Sequence, residues 1–208
     1  MLSAPAPAKR GRRGALNRQK ILEACIACIN RNGYSATSVE AVMAEAGLSR
    51  GSVLLQFPTR LHLTLATAEF AMAEMLKNSE ALGATIADPV ERFCRFADIV
   101  WDVHRTPPSI ALTDILLASR WDQDLAAGLK PLAEEAERHV DERFTEVAAQ
   151  AGIKNIESVV LHGRVLNASV RGMTIDLAFN PSREVILLAL ETLKRDYEAF
   201  CRQLVETA

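Results

Sequence analysis

The amino-acid sequence predicts an all-α chain: an N-terminal three-helix domain built around a helix-turn-helix, followed by a larger helical domain. Three observations predict it. Apolar residues recur with the helical period along most of the 208 residues, and no apolar/polar alternation of useful strand length appears. Cap residues, glycines and prolines fall where helices start and stop. With 49% apolar, 24% charged and 5% aromatic residues, the chain has the profile of a helix-rich protein able to bury a sizeable core.

The elements follow in order. Residues 1–13 read as a disordered basic arm that lacks the apolar stretch of a secretory signal. A first helix over about 16–32 ends at Gly33, a natural left-handed stop, with Tyr34 placed to fold back on Ile29. Thr37-Ser38-Val39-Glu40 reads as a capping box opening a second helix, which closes at Gly47. Ser49 caps a third helix, and Phe57 before Pro58 ends it. Thr59 caps a fourth helix that runs to about residue 82. Asp88-Pro89 opens a helix to about 105, and Pro107-Pro108 separates it from one reaching Arg120. Residues 123–151 read as helix kinked or divided at Gly128 and Pro131, and two long helices follow near 156–179 and 182–205. The domain boundary is placed at 74/75.

Charge is unevenly distributed. Residues 1–60 hold nine Lys/Arg and three acids, a balance of +6, while the rest of the chain is −8, giving the net −2. A basic head on an acidic body suits a polyanion binder with a separate second module. The longest unbroken apolar run, Val185 to Leu190, is far short of a membrane span, so no membrane partner is expected. Cys25 and Cys28 have CxxC spacing but sit inside a helical pattern with no second Cys/His pair, so buried thiols are expected rather than a metal site. No HExxH, phosphate loop, GxGxxG or nucleophile elbow occurs, so no enzyme and no cofactor is expected.

The second and third helices with the turn at Gly47 have helix-turn-helix dimensions, in which the latter helix enters the DNA major groove. At about 100° per residue, Val53 and Phe57 face the core. Gly51, Ser52 and Leu55 then face outward, flanked by Arg50, Leu54 and Gln56. Gly51 permits close approach, Ser49 and Ser52 suit phosphates or base edges, Arg50 a guanine or phosphate, and Gln56 an adenine. Thr37, Ser38 and Arg60 stand at helix starts that suit phosphates.

The run Ile21-Leu22-Glu23-Ala24, Asn32-Gly33-Tyr34, Ala36-Thr37-Ser38-Val39, Ala46-Gly47-Leu48-Ser49, Arg50-Gly51-Ser52 and Phe57-Pro58-Thr59-Arg60 resembles the DNA-binding domain of the TetR family of bacterial transcriptional regulators, over about residues 14–74. The resemblance implies double-stranded operator DNA as partner, a cytoplasmic protein acting at the bacterial nucleoid, and a C-terminal domain that binds a small effector and forms a homodimer. One departure stands out: the family usually has Tyr at the position of Leu54 and often His at that of Leu55. Losing a neutral phosphate contact costs about 1 kcal/mol, and Leu55 can press on a thymine methyl instead, so DNA binding is expected to persist.

In the body, Ile186, Leu190, Leu193, Tyr197 and Phe200 recur at spacings of four and three. Val159, Leu166, Val170 and Met173 line one side of the preceding helix; together they form the expected dimer interface. Val185 and Leu188 widen the seam, and Leu161, Val165 and Ala168 make a second apolar side, so this helix needs two partners. Phe96, Trp101, His104, Leu116, Trp121, Phe144 and Met173 supply large walls for a pocket suited to an apolar effector. The expected function is a repressor released from a near-palindromic operator by that effector. Two alternatives stay open: a thiol- or metal-responsive regulator using Cys25 and Cys28, and a helical binding protein whose DNA contacts have degenerated.

Overall fold

A computed structural model describes residues 9–208, with side chains from Arg13 onward. The described residues contain α-helices and one short 3-10 turn, and no strand. They form two compact units. The first joins the chain up to Ala71 with Ala111–Lys130; the second joins Met72–Ile110 with Pro131–Ala208. The sequence boundary at 74/75 therefore falls close to the first crossing, but the segment 111–130 sits with the N-terminal unit.

In the first unit, α1 (Lys9–Asn32) begins well before residue 16, so residues 9–13 of the expected disordered arm are helical; residues 1–8 lie outside the described part. Its Ile21, Cys25, Cys28 and Ile29 are buried on one face. Gly33 ends it at φ 79° and donates its amide to Ile29 at 2.8 Å. For α2 (Val39–Ala46) the cap is Ser38, whose Oγ accepts the Ala41 amide at 3.1 Å. The expected capping box is thus displaced by one residue, because Thr37 is drawn back into the turn. Gly47 closes α2 at φ 62°. In α3 (Arg50–Gln56) Ser49 accepts the Ser52 amide, and Val53 and Phe57 are buried. Thr59 accepts the His62 amide at 3.2 Å and starts α4 (Arg60–Ala84).

α5 (Pro89–Cys94) and α6 (Phe96–His104) replace the single helix expected up to 105. Arg95, at φ −95° and ψ 13°, breaks the run and leaves Phe93 and Phe96 both buried. α7 (Pro107–Ala118) is followed by the 3-10 turn Ser119–Trp121. α8 (Gln123–Gln150) is continuous through Gly128 and Pro131. Gly128 does not divide it; a Cβ there would stand 2.6 Å from Leu65 Cδ1, so glycine lets α8 pass close to α4 within the first unit.

The second unit is built on α9 (Ile156–Phe179) and α10 (Glu184–Glu206). Its core holds Phe93, Phe96, Trp101, Phe144, Leu166 and Val170. Phe96 and Phe144 meet edge to face at 5.0 Å between centroids. Most of the expected dimer seam lies inside this unit. Val159, Leu166, Val170, Leu190 and Tyr197 are buried in the unit's own core, with Met173, Leu193 and Phe200 packed against it and Ile186 half-buried. The apolar side left exposed is the other one, carrying Leu161 and Val165 on α9 and Val185 and Leu188 on α10. Periodicity reports that a face is covered, not what covers it.

Candidate nucleic-acid interface

The reading helix is held from beneath. Val53 is fully buried and Phe57 nearly so, and the Arg18 guanidinium lies 4.7 Å from the Phe57 ring centroid. With that face fixed, Leu55 projects outward at 82% exposure, beside exposed Arg50 and Gly51 and half-buried Ser52. Ser49 and Ser52 hydroxyls stand 3.0 Å apart. Arg50 reaches Glu40 at 3.5 Å, and both side chains are exposed. Such a surface pair contributes little and leaves the guanidinium available to a stronger anion.

A concavity of about 280 Å³ lies between the starts of α2, α3 and α4, its polar lining being Ser35, Thr37, Ser38, Glu40, Arg50, Thr59 and Arg60, with Leu54 among its apolar walls. Helix starts bring free amides and partial positive charge, and two guanidiniums against the one carboxylate of Glu40, which stands 3.5 Å from Arg50, leave the recess suited to a phosphate oxyanion. Leu54 walls this recess and closes it to side-chain hydrogen bonding at that point. Arg60 also donates to the Tyr34 carbonyl at 2.9 Å and stands over the Tyr34 ring at 4.7 Å.

Two expected contacts are placed differently. Thr37 is buried and its hydroxyl donates to the Gly33 carbonyl at 2.8 Å, so it shapes the turn while still lining the recess. Gln56 is half-buried, with its Nε2 lying 3.8 Å from where a Cβ on Gly14 would stand, alongside α1. Ser35 and Glu40 are polar lining residues that sequence reading passed over as contacts, since an isolated serine in a turn carries no spacing signal and Glu40 reads as a capping-box partner.

The thiol alternative meets a physical obstacle. Cys25 and Cys28 are both buried, and burial pushes the Cys25 thiol up to about 11 despite a hydrogen bond with Thr67. A buried protonated thiol is a poor nucleophile and metal ligand. Among the described residues no group of three or more His, Cys, Asp or Glu could hold a metal ion. No helix among them is long and apolar enough to cross a membrane.

The expected effector walls are divided between the units. Phe96, Trp101, His104 and Phe144 are buried in the second unit, and Met173 packs on the same cluster. Leu116 and Trp121 belong to the first unit, and Trp121 is 86% exposed, so it is no wall of an enclosed pocket. A Cβ on Gly163 would fall 2.6 Å from the Phe144 ring, so that ring fills the space beside α9. His104 Nε2 lies 3.2 Å from Asn167 Oδ1, and the Ser109 hydroxyl stands 3.4 Å from Nδ1. This network fits a neutral imidazole that donates from Nε2, in keeping with burial holding its pKa below the usual value.

Residues 21–67 match the family model described as bacterial regulatory proteins, tetR family. The HTH-type transcriptional regulator CymR of Pseudomonas putida is 24% identical over 187 residues, covering 88% of this chain and 92% of that one. A TetR transcription regulator from Haloarcula marismortui superposes with a TM-score of 0.69 at 14% identity, covering 91% of this chain and 98% of that one. FadR from Bacillus subtilis, solved in complex with stearoyl-CoA, gives 0.63 at 15% identity, over 86% and 96% of the two chains.

Proposed function

From a chain that belongs to the tetR family of bacterial regulatory proteins and is a DNA-binding transcriptional regulator, we propose a homodimeric repressor released from a near-palindromic operator by a small apolar effector. The observation that carries the DNA reading is the division of α3. Val53 and Phe57 anchor it inward, while Arg50, Gly51, Ser52 and Leu55 form a free outer face beside the oxyanion recess. Arg50 and Ser38 hold phosphates or base edges, Arg60 serves the recess, and Leu55 makes an apolar contact of the kind a thymine methyl accepts.

Dimerisation uses the exposed stripe of α9 and α10, Leu161, Val165, Val185 and Leu188. Two heads related by a two-fold axis then meet half-sites about 34–36 Å apart. The effector acts by preferring a dimer with differently spaced heads, a coupling of about 1–3 kcal/mol. The FadR complex with stearoyl-CoA supports an apolar effector class, as does the aromatic core around Phe96 and Phe144.

The test is fluorescence anisotropy on DNA from upstream of the chain's own gene, against scrambled DNA, across a salt series. Specific binding that weakens steeply with salt and is lost in Arg50→Ala is expected. Equal affinity for both DNAs, repeated over a genomic fragment selection, would overturn the reading.

A further inference from the structure

We propose that the first unit carries a second small-molecule site, a groove behind the reading head that binds organic cations through Asp114 and Trp121. The groove, of about 420 Å³, runs between the end of α1 with its following turn and the last turns of α7 with the 3-10 turn. That volume falls within the range of ligand sites, roughly 300–1,000 Å³.

Its electrostatics oppose those of the head around it. Asn32 brings the C-terminus of α1 to the groove, with a partial negative charge of about half an elementary charge. Asp114 adds a full carboxylate. It accepts the Tyr34 amide, and burial pushes its carboxyl up. No Lys, Arg or His among the described residues lies within ion-pair distance of it. None of the groove's lining residues is basic, although residues 1–60 as a whole carry a balance of +6. A half-buried carboxylate without a cationic partner gains from one supplied by a ligand.

The apolar side of the groove favours a planar or methylated cation over a metal ion. Leu117 and Trp121 are exposed on it. The exposed Arg120 guanidinium stands 5.7 Å from the Trp121 ring centroid, a weak surface contact that a ligand cation has to displace. A ligand with an aromatic face for Trp121 and a delocalised positive charge for Asp114 matches both features. A phosphate or carboxylate would face the Asp114 carboxylate instead of a complementary charge at that point.

The experiment is tryptophan fluorescence of the full chain titrated with N-methylquinolinium and, separately, with neutral quinoline at about pH 7.5. The other tryptophan, Trp101, is buried, so Trp121 is the accessible reporter. Saturable quenching is expected, with the cation bound about ten-fold more tightly than quinoline. Asp114→Asn should bring the cation down to the affinity of quinoline, and Trp121→Ala, read by calorimetry, should weaken both probes several-fold. Equal affinity for the two probes, quenching that rises linearly without saturation, or an Asp114→Asn chain that binds unchanged would each overturn the site. The comparison of probes on the unaltered chain needs no variant to fold. No DNA is present, so the outcome is independent of operator binding.

Discussion

Arg60 holds Tyr34 at two points, donating to its carbonyl at 2.9 Å and covering its ring at 4.7 Å. Tyr34 also offers its amide to Asp114 and its carbonyl to the Thr37 amide at 3.1 Å. The turn that opens the reading head is therefore clamped from α4 and α7 together. Arg60→Ala should lower unfolding stability by about 1 kcal/mol, combining a lost hydrogen bond with an exposed cation–π contact. Arg60→Lys should recover less than half of this, because an ammonium lacks the fork that serves carbonyl and ring at once. Urea unfolding of the three chains measures both.

Leu55 and Val53, two residues apart, should behave as opposites. Leu55→Ala removes an exposed side chain and should leave stability within about 0.5 kcal/mol while weakening operator binding several-fold. Val53→Ala hollows a fully buried site and should cost about 1–3 kcal/mol. Thermal unfolding beside anisotropy separates them; equal losses in both assays for Leu55→Ala would show that it is a packing residue.

The exposed stripe on α9 and α10 gives a third expectation. Val165→Glu with Leu188→Glu, at positions each 61% exposed, should yield folded monomers in sedimentation and a collapse of operator affinity. Leu166→Ala, in the core, should instead destabilise the subunit by about 2–5 kcal/mol.

A fourth concerns pH. His104 is buried beside Asn167 and Ser109, and burial lowers its pKa. The unfolded imidazole protonates near about 6.5, so below that pH the unfolded state binds the extra proton first. Stability from this group is present above about 6.5 and is lost as pH falls towards the folded value. His104→Gln should flatten that part of the profile, read as the difference in urea midpoints between about pH 7.5 and 5.5.

Much was legible in the chain alone. The caps at Ser49 and Thr59 and the stops at Gly33 and Gly47, which bound the helices of the head, and the cap at Asp88 in the second unit are local chemistry, decided within four or five residues. The inward direction of Val53 and Phe57 followed from helical angle. Even the departure at Leu54 and Leu55 was visible, because the flanking motif is dense enough to align every position. The basic head and acidic body could be counted.

Tertiary structure decided what no local rule carries. It assigned the seam of Leu166, Val170, Leu190 and Tyr197 to the subunit core and left Leu161, Val165, Val185 and Leu188 outside. Both stripes have helical spacing, and only the packing of Phe96, Trp101 and Phe144 chooses between them. It moved residues 111–130 to the head's unit, which brings Asp114 to the Tyr34 amide across 80 positions of sequence. It also drew Thr37 into the turn and gave the α2 cap to Ser38. Helix periodicity and caps are properties of neighbouring residues; which face meets which partner depends on shape complementarity between segments far apart, and that is settled only when the chain has folded.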